Sequence, residues 1–153
     1  MIDWLKSLLQ PPSEERRTSR LEAIAGLLVQ AGAMDGQFDQ RERRAVEDIL
    51  LRFDAVDGAA ARTAITAVEP KVAHGTDLFQ FTREINVHFA PEERLSIVEA
   101  LWEVILADGE VDTFEASLMR RLGTLIHVSD RDIGEARQRV AARRQSGQKP
   151  RLW

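Results

Sequence analysis

Seven carboxylates fall into two short segments of one design, six of them at matching positions. The first is Asp35-Gly36-Gln37-Phe38-Asp39-Gln40-Arg41-Glu42, and the second is Asp108-Gly109-Glu110-Val111-Asp112-Thr113-Phe114-Glu115. Both read Asp-Gly-x-apolar-Asp-x-x-Glu, and the second starts 73 residues after the first, at 108 against 35. Carboxylate oxygens at this density are the ligands of a hard divalent cation: calcium, magnesium or manganese. Neither segment holds a histidine or cysteine, which makes zinc a poor fit. The pattern is not an EF-hand, whose loop needs an acid at its twelfth position. Counted from Asp35 that residue is Val46, and from Asp108 it is Met119.

The same residues also read as helix punctuation. A helix arrives and stops at Gly36, where glycine takes a left-handed conformation readily. Phe38 plugs the turn, Asp39 caps the next helix, and Glu42 stands three residues on, as in a capping box. Gly109, Val111, Asp112 and Glu115 repeat these roles. Capping leaves Asp35 and Asp108 less well explained, because a carboxylate at a helix C-terminus meets the negative end of the macrodipole. An Asx-turn is one account of them, and metal binding is the other.

Helices must position these turns. Apolar residues recur at three- and four-residue spacing in four stretches: Leu21, Ile24, Leu28, Ala31; Ala45, Val46, Ile49, Leu50, Phe53; Leu95, Val98, Leu101, Trp102, Ile105; and Leu118, Leu122, Leu125, Ile126. No sustained alternation marks a strand. Pro11-Pro12 closes an N-terminal stretch, and Pro70 and Gly75 bracket a connector after a helix over about residues 55–68. Asp77 is placed to cap the next helix, which reaches about His88. Ala90-Pro91-Glu92-Glu93 reads as a helix start, and Ser129-Asp130-Arg131-Asp132 as another. The last helix fades near Ser146-Gly147. The expectation is an all-α chain of about seven helices, with a further short one possible at the N-terminus. The repeat extends beyond the acidic motif. Ile24 matches Ile97, Leu28 matches Leu101, Ala45 matches Leu118 and Ile49 matches Leu122, which gives two related helix-turn-helix halves. The expected organisation is an amphipathic segment at 1–12, a helical domain at 13–145 and a basic, mobile tail at 146–153.

The 153 residues are enough for one domain with a sizeable core, and the absence of cysteine excludes disulfides and thiol nucleophiles. No apolar run approaches the ~20 residues that span a bilayer. The net charge of −4 is uneven, since residues 129–153 hold seven arginines and lysines against three acids. An acidic body argues against nucleic acid as the main partner. The basic set Arg137, Arg139, Arg143, Arg144, Lys149 and Arg151 reads as a solvated face or as an anchor for anionic lipid or an acidic partner. Ile2, Leu5, Leu8 and Leu9 would share one helical face, packed on the domain or lying on a membrane surface. His74, His88 and His127 lack the spacing of a helical zinc site and are expected to be surface or satisfied polar residues. There is no nucleophile elbow and no glycine-rich phosphate loop.

The segment Leu101-Trp102-Glu103-Val104-Ile105-Leu106-Ala107-Asp108-Gly109-Glu110-Val111-Asp112, ending at Glu115, resembles a signature of the TerB-like tellurite-resistance domains. Phe81-Thr82-Arg83-Glu84-Ile85-Asn86 and Pro91-Glu92-Glu93-Arg94 resemble the same family, and the Asp35-Gly36 turn supplies the first-half counterpart. The resemblance covers about residues 20–140. It implies an all-helical fold of about seven helices in two related halves. It also implies an acidic cluster that chelates a divalent metal, falling here on Asp35, Asp39, Glu42, Asp108, Asp112 and Glu115, with Glu103 able to join. The counterpart of Glu103 is Gln30, so the halves differ there, and Met34 stands where an alanine usually precedes Asp-Gly. The resemblance implies a non-catalytic binding module linked to tellurite and stress response. Its implied partners are proteins of a stress-related complex, in the cytoplasm or at the inner membrane surface. The alternatives are a purely structural scaffold, a peripheral membrane adaptor, or a metal-dependent hydrolase. A hydrolase would need a substrate cleft beside the acids and a metal with open coordination positions.

Overall fold

In the computed structural model, which describes residues 14–34, 37–53, 56–75, 78–107 and 111–147, seven helices follow one another. They are α1 (Glu14–Gly32), α2 (Gln40–Leu50), α3 (Gly58–Ala73), α4 (Leu78–His88), α5 (Pro91–Leu106), α6 (Thr113–Leu125) and α7 (Asp130–Ser146). Helices α2, α3, α5, α6 and α7 begin at a capping side chain or a proline. No strand occurs among the described residues. The expected all-α architecture is therefore the observed one. The segment 1–12, the cap expected of Asp77 and the tail beyond Gly147 lie outside the described residues.

Asp57 caps α3 by accepting from the Ala60 N–H at 2.7 Å, and the Ser129 hydroxyl accepts from the Asp132 N–H at 3.1 Å to open α7. At α5, Pro91 takes the first helical position, and Glu93 Oε1 accepts from the Ala90 N–H at 2.9 Å. Alanine has no side-chain acceptor, so this start is half of a capping box. At its far end α7 stops at Gly147, whose φ of 75° is left-handed.

One boundary differs from the sequence expectation. Helix α3 does not stop before Pro70 but runs through it to Ala73. Proline removes one N–H and crowds the preceding turn. Val68 is fully buried and Val72 packs against the core, so apolar contacts on both sides of Pro70 hold the last turn in place. Gly75, at φ 70°, then turns the chain away.

Helix α1 lies at the centre and packs against α2, α3, α4 and α5, while α5 also packs against α2 and α7. Leu27 and Leu28 of α1, Ile97, Leu101 and Ile105 of α5, and Met119 and Leu122 of α6 are fully buried. Burial of such side chains, worth ~1.5–3 kcal/mol each, is the main force holding the helices together. Helices α1 and α4 meet closely at Gly26, where a Cβ would fall 2.6 Å from the Phe81 ring. Thr82, the buried polar residue beside it, donates to the Leu78 and Phe79 carbonyls. Helix α7 is tied to α5 by the buried Trp102, whose Nε1–H donates to the Ile133 carbonyl at 2.9 Å.

The repeat survives in the packing. Ile24 and Ile97, Leu28 and Leu101, and Ile49 and Leu122 are buried in both copies, and Leu118 is buried where Ala45 is half-buried. The α1–α2 and α5–α6 pairs are thus the two halves, and they meet where α5 packs on α1 and α2.

Candidate functional site

The acidic turns begin with two near-identical caps. Asp39 stands at φ −85°, ψ 177° and Asp112 at φ −85°, ψ 175°. Asp39 Oδ1 accepts from the Glu42 N–H at 2.9 Å, and Asp112 Oδ1 accepts from the Glu115 N–H at 2.8 Å. In the second turn Glu115 Oε1 accepts from the Asp112 N–H at 3.1 Å, which closes a capping box. The apolar plugs also hold their places. Phe38 and Val111 are partly buried against the core, and the Phe38 ring lies where a Cβ on Gly32 would touch it at 3.2 Å.

The two turns converge. One cavity of about 430 Å³ is lined by the end of α1 and the residues after it (Ala31, Gly32, Met34), by the start of α2 (Asp39, Arg41, Glu42, Ala45), by the end of α5 (Val104, Ala107) and by the start of α6 (Val111, Asp112, Glu115). Its lining is part apolar and carries four carboxylates, two from each half. The sequence identified the acids without showing that they face a common space. They do so because each turn joins a helix of the α1–α5 contact to the helix that follows it.

Other residues singled out in the sequence lie differently. Glu103 is not in the cavity lining: Arg52 donates to its Oε1 at 2.6 Å, so it serves as the counter-ion that ties the end of α2 to α5. Asp35 and Asp108 lie outside the described residues, although their chain neighbours Met34 and Ala107 both line the cavity. Among the described residues, no three acids or histidines stand close enough to hold a metal ion between them. The histidines are dispersed. His88 Nε2 bonds Glu84 Oε2 at 2.9 Å, His74 bonds the Pro70 carbonyl, and His127 sits at the end of α6.

Arg41 was not foreseen. Among the described lining residues it is the only cation. A signal for it did exist, because a basic residue in the first turn of a helix opposes the macrodipole and calls for another reason to be there. Four carboxylates around one cavity supply that reason by compensating the charge.

No helix among the described residues is long and apolar enough to cross a membrane. No curated protein and no solved structure matches the chain. The family model for tellurite resistance protein TerB matches residues 21–138, a span that runs from α1 into α7 and contains both acidic turns. With that match across most of its length, and with the helices and paired turns that the match covers, the chain belongs to the TerB family.

Proposed function

We propose that this chain is a non-catalytic binding module whose acidic cavity takes a hard divalent cation: calcium, magnesium or manganese. The observation that carries the reading is the convergence of Asp39, Glu42, Asp112 and Glu115 on one cavity. Four carboxylates in a partly enclosed space repel one another, and a divalent ion relieves that repulsion better than one arginine does. The caps engage one oxygen of Asp39 and one of Asp112, and each carboxylate has a second. Because no three described acids stand close enough to hold an ion, the reading also calls on Asp35 and Asp108, which lie outside the described residues. The ion would then bridge the halves, with ligands from both turns.

Binding without turnover is favoured by what lines the cavity. The described lining offers carboxylates, one arginine and apolar groups, with no histidine, serine or lysine to act as nucleophile or separate base. Family membership points to a place among the protein partners of a stress-related complex, in the cytoplasm or at the inner membrane surface.

The test is calorimetric titration of calcium, magnesium, manganese and zinc into the full chain and into an Asp35→Asn/Asp108→Asn variant. Saturable binding of one of the first three that the variant loses is the expected result. No heat of binding at millimolar metal would overturn the reading and leave the turns as helix caps alone.

A further inference from the structure

The outer sides of α4 and α6 carry large apolar groups that the core does not use. Phe79 and Val87 of α4 are 59% and 69% exposed, and Phe114 of α6 is 75% exposed. Phe79, Arg83 and Val87 are spaced four apart and share one side of α4, and Phe114 and Arg121, seven apart, share one side of α6. The helices pack together, with Asn86 Nδ2 donating to the Leu125 carbonyl at 2.8 Å. The stripes adjoin where the Arg121 guanidinium lies 5.7 Å from the centre of the Phe79 ring. From Phe114 through Phe79 to Val87 the line extends roughly 20 Å, the length of about fourteen helical residues.

The Phe79 end of this surface is basic. The chain carries −4 overall, yet Arg83, one turn from Phe79, and Arg121, over its ring, are both exposed. The acids of these two helices are engaged elsewhere: Glu84 bonds His88, and Glu115 lines the cavity. Exposed aromatic and arginine side chains are enriched at protein-docking surfaces, and exposing them freely to water brings no stability.

We propose that the outer faces of α4 and α6 dock an acidic amphipathic helix of a partner protein. Its apolar residues, at three- and four-residue spacing, would lie over Phe114, Phe79 and Val87, and its carboxylates would pair with Arg83 and Arg121. This surface adjoins the acidic cavity at one end, where Phe114 stands between Asp112 and Glu115.

The probe is a fluorescent 16-residue helical peptide with leucines at three- and four-residue spacing and glutamates between them. A second peptide replaces every glutamate with lysine. Anisotropy titration into the full chain is expected to show saturable binding of the glutamate peptide. That binding should be at least tenfold weaker with Phe79→Ser/Phe114→Ser, with Arg83→Glu/Arg121→Glu and with the lysine peptide. Circular dichroism should show both variants folded, since all four residues are exposed. Equal binding of the two peptides, binding unchanged in the variants, or no binding by the wild type would overturn the proposal. So would a wild-type dimer in sedimentation that the phenylalanine variant dissolves, because the occupant would then be a second copy.

Discussion

Two demands fall on the carboxylate of Asp112: one oxygen caps α6, and the group faces the shared cavity. The demands separate by substitution, because asparagine caps a helix as well as aspartate does, whereas alanine does not. Asp112→Ala should lower stability by about 1 kcal/mol in urea denaturation. Asp112→Asn should stay within a few tenths of a kcal/mol of wild type while weakening cation binding. A second residue-scale prediction concerns His127, a non-glycine residue at φ 60°. It closes α6 in a Schellman arrangement, with the Val128 N–H bonded to the Gly123 carbonyl at 2.8 Å and the His127 N–H to the Thr124 carbonyl at 3.4 Å. His127→Gly should raise stability by up to about 1 kcal/mol, since the relief of left-handed strain exceeds the entropy glycine loses on folding. An unchanged or lower denaturation midpoint would contradict this. The caps were legible in the sequence because their bonds span three residues. The fate of Glu103 was not, because its partner Arg52 lies 51 positions away and nothing local links the two.

Among the elements, the tightest constraint is the crossing of α1 and α4. Gly26→Ala would put a methyl group 2.6 Å from the ring of Phe81, itself only 5% exposed. The gain in helix propensity, ~1 kcal/mol, does not offset overpacking of ~1–3 kcal/mol. The variant should be net destabilised by about 1 kcal/mol, and Phe81→Leu should partly rescue it in a double-mutant cycle. Additive effects would show that the ring moves aside freely. A second element-scale prediction tests the docking of α7: Trp102→Phe removes the inter-helix bond to the Ile133 carbonyl, which keeps its donor within α7, and should cost about 1 kcal/mol. The helices themselves were legible from apolar periodicity, including the starts at Pro91 and Ser129. The end of α3 was not, because proline is a local signal and the contacts of Val68 and Val72 that override it are tertiary.

For the molecule as a whole, the consequence of the repeat is the cavity. Two turns 73 residues apart could have faced opposite sides, and the sequence alone did not decide between these outcomes. The packing of α5 against both α1 and α2 brings their ends together, so that one space receives acids from both halves. Sharing of this kind fixes a stoichiometry. Under the proposed cation reading, separate turns would each hold their own ion or none, whereas a shared cavity would hold one and lose it on damage to either turn. The decisive measurement is therefore the number of manganese ions bound per chain, counted from free manganese by electron paramagnetic resonance, in the wild type and in Asp35→Asn and Asp108→Asn singly. One ion per chain, lost to the same extent with either substitution, is the expected result. Two ions per chain with each substitution removing one, or no bound manganese, would contradict a shared cation site between the halves.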